Sequence, residues 1–341
     1  MIKDMLTRRK GLRLVFVDGA IFLLIVGFTG ISGVNDGGNL IGTYLNSSSV
    51  RPAATVVLLA GSVLVGPLIF GTRVSHTIAV EIVNFNVAGH VVLAVALLGA
   101  LMTLAVTWYL SIPTSATLAL AGAMVGAVLV DGHLAWVQWG GIVKVAVGLV
   151  GSVAVGFGAA YLVSRLLWMA MSRYPKLGFS GGRAQWVTIA LQGIAYGGND
   201  QEKAIGLMAV LLMLVQHHTR YQVTWPAIVL PWLAWMAGLF AGGLRIAKTV
   251  SGHIFRLRDA AAVSTQLGAA LTVGAAALTG LPVSSTQTTD GSLFGTGTAL
   301  NPYGVRWQTA GKFLRVWVLT LPLAVAMGGV AMGAVRLARG L

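Results

Sequence analysis

Two short segments place a carboxylate beside a carboxamide in a chain that is otherwise strongly apolar. The first is Gly33-Val34-Asn35-Asp36-Gly37-Gly38-Asn39 and the second is Gly197-Gly198-Asn199-Asp200-Gln201-Glu202-Lys203. Carboxylate oxygen, amide oxygen and freed main-chain carbonyls are hard ligands suited to Na⁺, and the carboxyl can also carry a proton. A carboxylate at bilayer depth is costly and rarely stands there without a function. The surrounding glycines allow a helix to unwind and turn its backbone groups toward a solute. Asp36 and Asp200 alone would repel an anion. A cation held beside them by Asn35 and Asn199 would turn that repulsion into attraction, which gives a physical basis for coupled transport. The alternative for each Asp is a structural role in hydrogen bonds between helices.

A second pair of segments carries hydroxyls. Ile112-Pro113-Thr114-Ser115-Ala116-Thr117 recurs as Leu281-Pro282-Val283-Ser284-Ser285-Thr286. Proline is tolerated in the first turn of a helix, where its missing N–H has no partner to lose. Ser115, Thr117, Ser284, Ser285 and Thr286 then fall in an opening turn with free N–H groups and the positive end of the helix dipole. Such a turn suits a tetrahedral oxyanion. The same hydroxyls could instead cap their own helices.

The elements that must position these groups are membrane helices. Of 341 residues, 56% are hydrophobic and 9% charged, with mean hydropathy +0.83. Continuous apolar runs, such as 91–110 and 316–335, favour helical spans over an alternating barrel. The Asn-Asp copies stand 164 residues apart and the Ser-Thr copies 169, with Gly122 matching Gly291 and Gly126 matching Gly295. The chain therefore reads as an all-α polytopic membrane protein of two homologous, inverted-topology repeats with discontinuous helices. Repeat 1 covers 1–165, a polar linker 166–184, and repeat 2 185–341. Inversion requires an odd number of crossings per repeat. Both the N-terminus and the linker are basic, so loop charge leaves the membrane orientation open.

The formal charge of +14 sits mainly at span ends and loops, as in Lys3, Arg8, Arg9, Lys10 and Arg13. That distribution anchors helices in a bilayer and excludes a nucleic-acid partner as its explanation. No cysteine is present, so disulfides and thiol chemistry are excluded. The basic, then apolar N-terminus reads as an uncleaved first span. His76, His90, His133, His217, His218 and His253 have no metal-ligand spacing, and His217-His218 reads as a solvated loop pair. Glu81 and Asp290 are further intramembrane candidates. Asp290 lies one turn beyond Thr286 and is placed to pair with Lys203 or to join an ion path. Asp18 could pair with a basic residue at a span end. Trp136, Trp139, Trp225 and Trp307 read as interfacial anchors.

The two Asn-Asp segments and the two Pro-x-Ser-x-Thr segments resemble the inorganic phosphate transporter family, over essentially the whole chain. The second family signature often reads Gly-Ala-Asn-Asp-Ala-Gln-Lys-Ala, and this chain reads Gly197-Gly198-Asn199-Asp200-Gln201-Glu202-Lys203-Ala204. The stretch 280–286 is similar to the family's Pro-Val-Ser-Thr-Thr segment. The chain departs from the pattern at Leu118 and Gln287, where many members carry His, at Ala116, where a hydroxyl is lost, and at Gln266, where many carry an acid. The resemblance implies a secondary transporter of inorganic phosphate driven by Na⁺ or H⁺, with no other cofactor. In that reading Asn35, Asn39, Ser115, Thr117, Asn199, Lys203, Ser284, Ser285 and Thr286 bind phosphate. Asp36 and Asp200, with Asn35 and Asn199, hold the coupling cation. The setting is the plasma membrane, with the lipid bilayer as partner and a homo-oligomer as an option. Sulfate is the alternative substrate. A membrane-embedded enzyme using Asp36 and Asp200 as an acid/base pair is the alternative from another class, and the absent metal spacing and the duplicated anion pattern weigh against it. A channel is a third class, and no selectivity-filter repeat supports it.

Overall fold

Long apolar runs with few breakers leave helix as the only local structure that satisfies every backbone group in lipid. The computed structural model describes residues 2–45, 51–109, 114–174, 180–216, 220–245, 247 and 259–340. His217, His218, His253 and Pro113 lie outside the described residues. Among the described residues seven segments are long and apolar enough to cross a membrane: Phe16–Gly42, Ala53–Phe70, Phe85–Tyr109, Trp139–Arg173, Trp225–Gly243, Asp259–Thr279 and Trp307–Arg339.

The helices fall into two series. The first is α1 (Ile2–Ser32), α2 (Gly38–Gly42), α3 (Pro52–Phe70), α4 (Arg73–Val80), α5 (Phe85–Tyr109), α6 (Ala116–Asp131) and α7 (Trp139–Arg173). The second is α8 (Gly181–Tyr196), α9 (Glu202–Val215), α10 (Trp225–Gly238), α11 (Asp259–Thr279), α12 (Ser285–Leu300) and α13 (Trp307–Arg339). Helix α7 continues to Arg173 and α8 begins at Gly181, so the linker expected over 166–184 is shorter than its composition implied.

Each Asn-Asp segment forms a π-helical turn, Gly33–Gly37 and Gly197–Gln201, joining α1 to α2 and α8 to α9. The chain does not unwind there. Flanking φ/ψ values stay helical, at −60/−40 for Ser32 and −62/−39 for Gly38. A π turn widens the helix by one residue and loosens its hydrogen-bond ladder, a device common at functional sites. True interruptions occur at the Ser-Thr segments, where α6 and α12 start afresh. Both helices have 16 residues, about 24 Å at 1.5 Å per residue. They are therefore shorter than a ~30 Å bilayer core, and most of their residues are buried.

Packing follows a reciprocal scheme. Helix α6 lies against α13, and α12 against α7. Helix α1 lies against α10, and α8 against α3. Glycine makes these approaches possible, and it does so in matched pairs. A Cβ on Gly126 would stand 2.0 Å from the Val325 carbonyl oxygen, and one on Gly295 would stand 2.1 Å from that of Phe157. At the π turns, a Cβ on Gly33 would stand 2.0 Å from the Trp235 carbonyl oxygen, and one on Gly197 would stand 2.1 Å from that of Val63. Backbone-to-backbone contact of this kind is how membrane helices associate without a hydrophobic driving force.

Gly33→Ala and Gly197→Ala should each cut the yield and thermal stability of detergent-solubilised protein, because overpacking against backbone costs at least ~1–3 kcal/mol. Gly61→Ala, whose Cβ would meet nothing within 4 Å, should leave thermal stability unchanged or slightly raised. Equal behaviour of the three variants would contradict the close approach.

Candidate functional site

The π turns bring their polar side chains inward because the glycines that flank them are occupied by neighbouring backbone. Asn35, Asp36, Asn39, Asn199, Asp200 and Lys203 are all buried, as are Ser115, Thr117, Ser284, Ser285 and Thr286. Thr286 donates from Oγ1 to Asp36 Oδ1 at 2.9 Å, and Asn39 donates to the Thr286 carbonyl oxygen at 3.2 Å. The first π turn thus touches the start of α12. Asn35 donates to the Thr114 carbonyl oxygen at 2.7 Å, just ahead of α6. In the second π turn, Asn199 donates to the Leu281 carbonyl oxygen (3.0 Å) and accepts from the Val283 N–H (3.2 Å).

The two Ser-Thr helix starts meet. The Val283 carbonyl oxygen accepts both Thr117 Oγ1, from the opening turn of α6, and Lys203 Nζ, each at 3.0 Å. Lys203 also reaches Asp200 Oδ1 at 2.5 Å. One ammonium therefore stands where both helix N-termini and the second π turn come together.

Ser115 and Ser284 act as N-caps here. Their Oγ atoms accept from the N–H of Leu118 (3.2 Å) and Gln287 (3.3 Å), which is the capping role. Each hydroxyl retains its proton for donation to an anion. Three buried polar atoms in this cluster have no hydrogen-bond partner: Asn39 Oδ1, Asp200 Oδ2 and Ser285 Oγ. Buried polar atoms are normally paired, and unpaired ones clustered at a helix start fit a site for ions and an oxyanion. The oxygens of Asn39 and Asp200 suit a hard cation or a proton, and the Ser285 hydroxyl suits an anion.

Several neighbours carry weaker sequence signals. The Tyr196 hydroxyl, at the end of α8, donates to the Ser285 carbonyl oxygen (2.9 Å) and contacts Thr289 Oγ1. Glu202 follows the second π turn, and its Oε2 accepts from the Ser75 N–H at 3.0 Å. It thereby anchors the first turn of α4, where the helix dipole favours an anion. An acid with no basic residue at helical spacing was the available signal for that role. Thr43, Gln192, Gln266 and Thr188 form a buried chain between α2, α8 and α11, through Gln266 to Thr43 (3.2 Å), Thr43 to Gln192 (3.4 Å) and Thr188 to Gln266 (2.5 Å). A cavity of about 450 Å³ reaches Gly280 and is lined by Arg73, His76, Thr77, Glu81 and Lys144.

The remaining sequence candidates resolve separately. Asp290 does not pair with Lys203, which is held by Asp200 and by the carbonyl of Val283, two residues ahead of α12. Asp18 lies 3.1 Å from His90 rather than beside a basic end residue. Glu81 is half exposed and pairs with Lys144 at 3.1 Å.

Apolar spanning helices, two π-broken helices and a buried polar cluster between short helix starts are the architecture of a polytopic membrane transporter. The phosphate transporter family profile matches residues 32–178 and again 170–328. The chain belongs to the phosphate transporter family. It is 32% identical over 317 residues to a "Probable low-affinity inorganic phosphate transporter" of Bacillus subtilis, covering 91% of this chain and 95% of the relative. It is 32% identical over 300 residues to a Rhizobium meliloti protein of the same description, covering 87% and 90%. Its fold is similar to a solved structure described as "The sodium-dependent phosphate transporter", with TM-score 0.83, 18% identity, and 94% and 99% of the two chains covered.

Removing one partner of a buried ion pair strands the other charge, at about 3–5 kcal/mol. Lys203→Met should therefore lower thermal stability markedly. The double variant Asp200→Asn/Lys203→Met should recover most of the loss, and non-recovery in a thermal melt would argue against the pair as the main role of that contact.

Proposed function

We propose that this chain moves inorganic phosphate across the plasma membrane together with Na⁺ or H⁺, and that the anion sits between the starts of α6 and α12. The observation that carries this reading is the Val283 carbonyl oxygen, shared by Thr117 and Lys203. Two helix N-termini and one ammonium are arranged there around the same small volume, and each favours an oxyanion. Ser115, Ser284, Ser285 and Thr286 supply hydroxyls, and Asn35, Asn39 and Asn199 supply amides.

The two Asn-Asp segments take different parts in this proposal. Asp200 is neutralised by Lys203. Asp36 has only neutral donors, Thr286 at 2.9 Å and Asn35 at 3.4 Å. A carboxylate in a low-dielectric site with no base bonded to it attracts a cation or a proton. Asp36 is therefore the coupling site, with Asn39 Oδ1 as an available second ligand, and Asp200 chiefly orients Lys203. The reciprocal packing of the two series supports inverted repeats, and alternating access follows from movement of helix groups around the fixed site.

Phosphate near neutral pH retains a proton that it can donate, whereas sulfate can only accept. Acceptors such as Asp36 and Asn39 Oδ1 favour the former. In proteoliposomes, arsenate should compete well for labelled phosphate uptake and sulfate poorly. Competition by sulfate equal to that by arsenate would overturn the substrate.

Asp36→Asn should abolish accumulation driven by an ion gradient while phosphate exchange persists. Thr286→Ala should weaken phosphate half-saturation about ten- to a hundredfold, the equivalent of ~1.5–3 kcal/mol for a hydrogen bond to a charged group. Wild-type gradient dependence in Asp36→Asn would remove it from the coupling role.

A further inference from the structure

Asp290 lies in the middle of α12, one turn beyond Thr286, and is fully buried. Both of its carboxylate oxygens lack a hydrogen-bond partner. Its face of the helix can be read from its neighbours. Gly291 and Gly295 meet the backbone of α7 at Val153 and Phe157. Ser292 donates to the Gly156 carbonyl of α7 at 3.2 Å. Thr296 accepts from Thr265 of α11 at 3.0 Å. At 100° per residue, Asp290 points away from α7 and shares the face of Thr286, whose hydroxyl touches Asp36. Asn39 reaches the same face through the Thr286 carbonyl and keeps its own Oδ1 unpaired.

No base answers this carboxylate. The ionisable groups on this side are Asp36, from the first π turn, and Tyr196, from α8, whose hydroxyl lies on Thr289 and Ser285. Lys203 is held by Asp200 and Val283. On α7, Lys144 is half-exposed and pairs with Glu81, and Arg165 and Arg173 are exposed. On α11 the ionisable residue is Asp259, at the first position of the helix. A bare carboxylate in such surroundings costs many kcal/mol, so the group is neutral or holds a cation. Its position opposite the packed face, next to the site, distinguishes it from a carboxyl buried merely to fill space.

We propose that Asp290 is a second monovalent-cation site on the transport pathway, one turn beyond the phosphate site along α12, which takes up H⁺ or Na⁺ during each cycle. It builds on the phosphate-transport reading and adds a coupled cation to the one at Asp36. Asp36 touches the Thr286 hydroxyl from the first π turn, and Asp290 follows Thr286 by one helical turn.

The test uses full-length protein in proteoliposomes with the membrane potential clamped at zero. Labelled phosphate accumulation is measured under a Na⁺ gradient alone and under a pH gradient alone. Asp290→Asn should still exchange phosphate. It should lose about tenfold in steady-state accumulation for each tenfold gradient of the cation that Asp290 carries, because each coupled ion multiplies the ratio by its own gradient. Loss of only the pH response identifies a proton, and loss of only the Na⁺ response identifies Na⁺. Wild-type dependence on both gradients overturns the proposal. A second measurement needs no variant. A lipid-soluble carbodiimide, which adds to protonated carboxyls, should label Asp290 of the wild type in Na⁺-free acidic buffer, read by peptide mass. Added Na⁺ or raised pH should slow that labelling. No labelling, or labelling indifferent to both, overturns the proposal even if Asp290→Asn fails to fold. Absence of phosphate exchange by the wild type would instead defeat the transport reading, and the carbodiimide result would still decide Asp290.

Discussion

The constraint on which the rest of the structure depends is negative charge in a medium that cannot solvate it. Among the described residues the buried acidic side chains are Asp36, Asp200, Glu202 and Asp290, against one buried base, Lys203. The whole chain carries +14, yet its interior is acidic. Each carboxylate meets the low dielectric differently. Glu202 takes backbone N–H groups at the start of α4, Asp200 takes the ammonium of Lys203, and Asp36 takes a threonine hydroxyl and an amide. Asp290 takes nothing from the protein. The series runs from carboxyls with one oxygen answered, as in Glu202 and Asp200, to Asp290 with neither. The unanswered end is where solute ions have most to offer.

Duplication explains how one fold holds these unlike members. Asn39 and Lys203 occupy the same place after their Asn-Asp pairs, and Asp36 and Asp200 occupy the same turn. One exchange of side chain, amide for ammonium, converts a carboxylate that invites a cation into one that already has one. The helix contacts around both turns stay matched, down to the carbonyl each glycine touches. The scaffold is thus symmetric and the electrostatics are not. Directional chemistry can arise from a symmetric scaffold in this way.

Much of this was legible in the residues. Hydropathy named the spanning helices, and the repeated glycines at 122, 126, 291 and 295 marked the close contacts. The convergence of the Asn-Asp and Ser-Thr segments was readable because polar groups buried in lipid must find one another. Other features were not. Helical φ/ψ and glycine content do not separate an unwound break from a π turn, since both relax the same ladder. Ser115 and Ser284 look alike as caps or as anion ligands, because a cap also puts a hydroxyl at a helix start. The sequence offered Asp290 as a partner for Lys203, because a flexible side chain can reach a carboxyl on another helix. The structure instead pairs Lys203 with Asp200, at i,i+3. For Glu202 the lack of a base at helical spacing was the one signal, and it does not name the partner, because that partner is backbone from α4, which no side-chain pattern encodes.

The crossed pairing of short and long helices also bears on biosynthesis. Helix α6 lies in the first half of the chain and packs on its neighbour α5, but its largest contact is with α13. Gly126 waits for the carbonyl of Val325 across almost the whole remaining sequence. Such contacts close only after a large loop has been ordered, which is slow. A ribosome that has delivered the first repeat has therefore delivered inserted helices without a finished core. The first half of the chain is not a unit of folding. A nascent chain stopped before α13 would leave α6 with its glycine face bare in the bilayer, open to membrane chaperones and proteases.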